Sequence, residues 1–377
     1  MANEGPQKGG HTVELCAADD WLVHQSLDPI STLWTDDPRA YERYWFGIQD
    51  REGLVRITQG AGFYPNLGTS ESFVIVVMGG RHTTIRVFKG FDGNRLSLEF
   101  PPIHADIVDG LRTWRLRLDG NQWGISYDLT WTDTKRPVYR RVGPSVDDGQ
   151  LTKAMAGFET FGNCRGWVEA GGTRMDAAEL ALSGSRDRHW GVRDGVGGRA
   201  YVVGDRSRAS LPPYFPGQWV EFKEFGLWGD VVLRNWDDPR PSVHVVDFER
   251  RLRFDPVTKL FRSGTVTNYL DDGQELVLRY ERLGNQIAFL RCGGYGGPRG
   301  GTPDRDIWSG MYVGEEVVEG ESYDANDADV QVALAGLDQH HCVVHCGEEM
   351  TQGLFEAYEP ELYERCVAGE PTFAMES

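Results

Sequence analysis

Polar and apolar residues alternate with period two along much of this chain, and no long stretch has a helical period. Residues 83–88 (TTIRVF), 95–100 (RLSLEF), 113–118 (TWRLRL) and 123–131 (WGISYDLTW) each alternate. Between or after them stand Gly90-Phe91-Asp92-Gly93-Asn94, Asp109-Gly110 and Asp119-Gly120-Asn121. Asp-Gly and Gly-Asn accept positive φ cheaply and mark hairpins. This pattern predicts an antiparallel meander with one wet and one buried face. A second series follows at 219–225, 231–235, 242–248, 252–254, 260–268 and 275–280, with 287–292 and 342–346 as possible extensions. Turn signals at Asp255-Pro256 and Asp271-Asp272-Gly273 punctuate it.

Helix candidates are few and short: 38–45, 327–337 and 360–367. The segment 195–217 (GVGGRAYVVGDRSRASLPPYFPG) is rich in Gly, Ser and Pro and separates the two strand series. The predicted fold is therefore all-β, with two antiparallel barrel or sandwich domains, residues 1–197 and 198–377. No βαβ alternation supports a doubly wound sheet.

Composition narrows the partners. The 377 residues include 57 acidic and 39 basic side chains, a formal net charge of −18. A phosphate backbone would be repelled, and no Lys/Arg-rich run offsets that sign, so nucleic acid is not expected. The longest apolar run, 73–78, is far short of the roughly 20 residues of a membrane-spanning helix. Residues 1–10 are polar and show no secretory leader, so the expected location is cytoplasmic. Six cysteines (16, 164, 292, 342, 346 and 366) are sparse and unpatterned, consistent with reduced thiols. Oligomeric state is not legible.

The common catalytic signatures are missing: no P-loop, no G-x-S-x-G elbow and no H-E-x-x-H. Residues 293–301 (GGYGGPRGG) have Arg299 where a dinucleotide fingerprint needs its third Gly, which leaves a surface loop or a lid. His340-His341-Cys342-Val343-Val344-His345-Cys346 has soft-metal ligands at close spacing. Alternation on a strand sends Cys342, Val344 and Cys346 one way and His341, Val343 and His345 the other. Structural cysteines are therefore expected, with no metal and no cofactor.

The densest chemistry lies at 184–194, GSRDRHWGVRD. A large ring, Trp190, among Arg186, Asp187, Arg188, His189 and Arg193 implies a paired, partly buried network. Such a network is either a clasp between domains or a functional cluster with perturbed acid–base behaviour.

Asp187-Arg188-His189-Trp190-Gly191-Val192-Arg193 resembles the acidic-His-x-Trp-Gly-x-Arg signature near the end of the first domain in the carotenoid 1,2-hydratase superfamily. That superfamily includes hydroxyneurosporene synthase, AttH proteins and decalin-forming Diels–Alderases. Phe158-Glu159, Gly162, Gly166-Trp167-Val168-Glu169 and Gly171-Gly172 resemble its lead-in; Tyr64-Pro65-Asn66 and Gly353-Leu354-Phe355-Glu356 add to the likeness. The resemblance implies two lipocalin-like β-domains with a pocket near their junction. Where the family often has His after the acid, this chain has Arg188, whose guanidinium stays protonated and cannot act as an acid or base. The family's aromatic-x-acid pair in the second domain finds its nearest counterpart in Trp219-Val220-Glu221.

The expected function is a cofactor-independent enzyme acting on a hydrophobic, isoprenoid- or polyene-like small molecule by acid-assisted hydration or dehydration, isomerisation or cyclisation. Asp187 or Glu221 would be the acid, its pKa raised by an apolar pocket. His189 or Arg188 would orient it or the substrate. Trp190, Trp219 and Tyr214 would face developing positive charge, and Arg193 would complete the substrate contacts. The alternatives are a non-catalytic carrier of a hydrophobic ligand, using the same cavity, and a scaffold with no small-molecule role.

Overall fold

The structure is a computed structural model that describes residues 17–22, 24, 32–147, 149–203, 217–294 and 302–357. The first half of the chain forms β1 (Ala40–Gln49), β2 (Val55–Tyr64), β3 (Thr69–Met78), β4 (Arg81–Gly90), β5 (Glu99–Phe100), β6 (Ile103–Asp109), β7 (Thr113–Leu118), β8 (Ile125–Asp133), β9 (Val138–Asp147), β10 (Gln150–Ala170), β11 (Thr173–Asp176) and β12 (Ser183–Arg193). The second half forms β13 (Gly217–Glu221), β14 (Phe225–Trp228), β15 (Val231–Arg234), β16 (Val243–Phe254), β17 (Phe261–Leu270), β18 (Glu275–Phe289), β19 (Glu316–Asp324), the helix α1 (Ala328–Leu334), β20 (Asp338–Cys346) and β21 (Glu349–Ala357).

Two all-β, lipocalin-like units result. β13–β18, β20 and β21 close into an antiparallel eight-stranded barrel. The remaining strands make one long antiparallel half-barrel sheet in the order β19-β4-β3-β2-β1-β12-β10-β8-β7-β6-β5, with β9 and β11 paired to β10. β19, from the second half of the chain, is the edge strand of the first sheet. It pairs with β4 from Glu316↔Lys89 to Asp324↔Arg81, and buried Arg86 of β4 holds Glu319 and Glu321. Main-chain contacts also stitch the units together: Arg136 N–H donates to the Arg234 carbonyl at 2.8 Å, and Lys135 bridges to Asn235.

Each unit fills its own interior. Phe46, Trp114, Trp131 and Leu129 pack inside the half-barrel; Phe261, Phe355, Tyr280 and Leu278 pack inside the barrel. A third cluster lies between them, where Trp45, Phe73, Ile75 and Phe161 of the sheet meet Trp219, Trp228, Leu233 and Leu354 of the barrel. Gly226 permits a close approach, because a Cβ there would sit 2.5 Å from the Phe161 ring.

Period-two alternation holds where one face is wet, as in β7 and β8. It fails in β1 and β2, where every residue is buried. The predicted helix at 38–45 is instead the start of β1: tertiary burial on both faces overrides a local pattern. The predicted strand 219–225 is two strands, β13 and β14, and 242–248 and 252–254 are one continuous β16. Only 99–100 of the predicted strand 95–100 is extended. The helix expected at 327–337 forms as α1, whose N-cap Asp327 accepts from the Asp329 and Val330 amides. The helix expected at 360–367 lies outside the described residues. No helix of the described residues is long and apolar enough to cross a membrane.

The half-barrel interior is pinned by one arginine. Arg186 of β12 has no solvent exposure and grips two carboxylates. Its Nε and Nη2 donate to Asp133 at 2.9 and 2.7 Å, and Nη1 and Nη2 donate to Asp20 at 3.0 and 3.2 Å. The indoles of Trp131 and Trp114 donate to the same two carboxylates. Removing the arginine would leave two buried carboxylates without a cation. Arg186→Leu should therefore cost on the order of 3–5 kcal/mol in urea or thermal unfolding; a loss under ~1 kcal/mol would show that the network contributes little.

Candidate functional site

Alternation along β12 divides the predicted residues between two faces. Arg186, Arg188 and Trp190 turn into the half-barrel. Arg188 is fully buried and donates to the main-chain carbonyls of Asp20, Trp21 and Arg43 and, at 3.4 Å, to Glu42. Trp190 stacks on His24 with ring centroids 3.7 Å apart. Both residues therefore brace the half-barrel and are not brought to the junction. Tyr214 lies outside the described residues.

Asp187 and His189 face the barrel. The His189 ring lies over Gly157, its partner on β10, where a Cβ would meet Cδ2 at 2.1 Å. Its Nε2 is 3.1 Å from Glu159 Oε1, and its Nδ1 is 3.2 Å from Arg43 Nη2 and 3.5 Å from Asp187 Oδ1. Glu159 also accepts from Arg140 at 3.1 Å, and Arg140 reaches across to Asp230 of the barrel. Arg193 adds its positive charge to this group. Burial dominates the electrostatics: it holds His189 down to about 3, hence neutral, and pushes Glu159 up to about 7 against the pull of Arg140. Burial likewise lowers Lys153 to about 8 and raises Glu356 to about 7.

Next to this network stand three tryptophans. Trp228 meets His189 edge-on at 6.3 Å, Trp219 meets Trp228 at 5.2 Å, and Trp45 lies 6.2 Å from Trp219. The indole nitrogens of Trp45, Trp219 and Trp228 are buried without a hydrogen-bond partner among the described residues. Trp219 also borders a cleft of about 750 Å³ between the sheet and the barrel. Phe161, Phe222, Val343 and Met350 supply apolar wall; Thr134, Lys135, Glu221 and Asn235 supply polar groups. Glu221 accepts from Thr134 Oγ1 and lies 3.2 Å from Lys135 Nζ, which also donates to Asn235 at 2.7 Å. Burial raises the Glu221 carboxyl despite the opposing pull of Lys135 and Thr134. A smaller hollow of about 200 Å³ beside Trp21 and residues 96–99 contains none of the predicted residues.

The junction thus gathers Asp187, His189, Trp219 and Glu221, the first two in the network and the last two at the cleft. Sequence reasoning missed Arg43, Arg140, Asp230, Trp45, Trp228, Thr134 and Lys135. Arg43 left a trace, as one of two charges, with Glu42, inside the aromatic YERYWF of β1. Among the described residues no three His, Cys, Asp or Glu are placed to hold a metal ion. Cys342 and Val344 pack into the barrel core.

A family model described as a family of unknown function, DUF8625, matches residues 15–223. No curated protein matches the chain. A solved structure from Nitrosomonas europaea, described as a candidate AttH, is 11% identical and is matched over 93% of this chain and 98% of its own, with a TM-score of 0.39.

The shifted Glu159 makes a pH prediction. Its folded pKa, about 7, exceeds the unfolded carboxyl value of roughly 4.3. Between those values the folded state holds the proton more tightly, so this residue's contribution to stability falls as pH rises. Glu159→Gln mimics the protonated form. Urea melts should show the variant gaining on the wild type from pH 5 to pH 8; a constant difference would mean that Glu159 titrates normally.

Proposed function

We propose that this chain, which belongs to the DUF8625 family of unknown function, is a cofactor-independent enzyme that transforms an apolar small molecule in the cleft between its two β-units, with Glu221 as the acid. The observation that carries this reading is the setting of Glu221. It is the one acidic side chain among the described residues lining the cleft, and burial raises its carboxyl. A carboxyl raised by burial holds its proton more tightly than a free one and, in its protonated form, can protonate an alkene or a leaving hydroxyl. Phe161, Trp219 and Phe222 supply aromatic wall beside it, and aromatic rings can stabilise a developing carbocation. Thr134 and Lys135 fix the carboxyl, and the Lys135 ammonium stabilises the carboxylate left after proton transfer. The substrate class, an isoprenoid- or polyene-like molecule undergoing hydration or dehydration, isomerisation or cyclisation, follows from the resemblance at 187–193.

On this reading Asp187 and His189 are positioning residues. They join Arg43 and Glu159 beside Trp228, on which Trp219 in turn packs. A second reading, a carrier without chemistry, is favoured by the Lys135–Glu221 pair, which links the first sheet to the barrel and can act as a clasp.

Incubation with a panel of polyenes and isoprenoid alkenols in ¹⁸O- or deuterium-labelled water, read by mass spectrometry, separates the two. The wild type should incorporate solvent label, and Glu221→Gln should lower that rate by at least about 10²-fold with unchanged circular dichroism. Asp187→Asn should lower the melting temperature and change turnover far less. Tight binding with no label incorporated from any panel member would establish the carrier. Loss of turnover in Asp187→Asn alone would return the acid to β12.

A further inference from the structure

Arg56 of β2 has no solvent exposure and lies on the face of the first sheet that meets the barrel. Arg86, Arg95, Arg186 and Arg188 are buried as deeply, and each holds a carboxylate. Among the described residues Arg56 has neutral partners only. Its Nη2 donates to Gln339 Oε1 of β20 at 2.9 Å, and its Nη1 donates to Gln49 Oε1 at 3.2 Å and to the Ile48 carbonyl at 3.4 Å. Its Nε has no partner among the described residues, nor has the neighbouring Thr58 hydroxyl. Burial pulls the guanidinium down to about 9; among the described residues no carboxylate touches it, and Glu356 is one side chain removed, accepting from Gln339 Nε2 at 3.0 Å.

His341, two residues beyond Gln339 on β20, is fully buried within reach of the Arg56 charge. Gln352 and the Asp50 main chain lie beside its ring, yet neither ring nitrogen completes a hydrogen bond of good geometry. An unpaired buried cation is among the costliest groups a fold can hold, and no carboxylate of the described residues pairs with this one, which leaves it open to an anionic ligand. The way in is the cleft. Gln49, which occupies Arg56 Nη1, lines it, as do Arg51, Gln352 and Val343, the next residue after His341 on that face of β20.

We infer that Arg56, with His341 beside it, receives the anionic head of an amphipathic substrate whose apolar body lies along the cleft toward Trp219 and Glu221. This rests on the cleft being the substrate site. A carboxylate head would displace Gln49 Oε1 and take two guanidinium N–H groups at once, the geometry arginine provides and lysine does not. The head would fix the register of the body against Glu221, so that one carbon of the chain meets the acid.

Calorimetric titration of the full chain with sodium decanoate, methyl decanoate and inorganic phosphate, below micelle-forming concentrations and at constant ionic strength, tests this. Decanoate should bind the wild type at least tenfold more tightly than either its ester or phosphate. Arg56→Met should reduce decanoate to the affinity of the ester, leave the ester unchanged and melt no lower than the wild type, because an uncompensated charge has been removed. Arg56→Lys, which keeps a charge in place, should melt like the wild type and bind decanoate severalfold more weakly. Equal affinity for acid and ester, or an unchanged decanoate affinity in Arg56→Met, would overturn the inference and leave the cleft reading intact. Phosphate binding as strong as decanoate, and lost in Arg56→Met, would replace the amphipath with a small free anion. Binding of neither decanoate nor its ester would remove the cleft reading and this inference together.

Discussion

Strands β1 and β2 have no wet face: their own half-barrel covers one side, the second unit covers the other, and every residue from Ala40–Gln49 and Val55–Tyr64 is buried. Much else follows from that double burial. A charged side chain on either face needs a partner in the protein or in a ligand, since an unpaired buried charge costs much of the margin of a fold stable by only about 5–15 kcal/mol. Glu42 finds Arg95 and Arg188 on the inner face. Arg43, one residue on, finds His189 and Asp187 on the outer face. The charged run of β12 is therefore two separate networks, one inside the half-barrel and one at the junction, interleaved by the pleat.

The junction has a graded character. Its centre is aromatic, with Trp219 in ring contact with both Trp45 and Trp228. Beside Trp228, the Asp187–His189–Glu159 group reaches across to the barrel through Arg140 and Asp230. Toward the cleft, Glu221, Lys135 and Thr134 form a compact polar set with space in front of it. Carboxyls are buried at both ends, but only Glu221 lines the cleft. Arg56 is buried as deeply as Arg86, Arg95, Arg186 and Arg188 yet, among the described residues, lacks the acid that each of them holds.

Much of this was legible in the sequence wherever one strand face is wet. β7 matches the alternating run 113–118 residue for residue, and Cys342 and Val344 point into the core as alternation requires. Double burial erased the signal elsewhere. In YERYWF both the Glu and the Arg are buried, so neither marks a solvent face, and the segment reads as a short helix. The pairing of β19 with β4 was invisible because it joins residues more than 200 apart through Arg86 and two glutamates, with no local cue. Of the residues singled out at 187–193, Asp187 and His189 lie at the junction. Arg188 and Trp190 alternate to the other face, a distinction the pleat makes and motif density does not.

The central claim is that the cleft between the half-barrel and the barrel holds the ligand. A crystal structure of the protein grown with sodium decanoate tests it most directly. The account predicts density for the chain against Trp219 and Phe161, with the carboxylate within hydrogen-bond distance of Arg56 and the Gln49 amide swung aside. An unchanged, empty cleft, with decanoate bound elsewhere on the molecule, would contradict it.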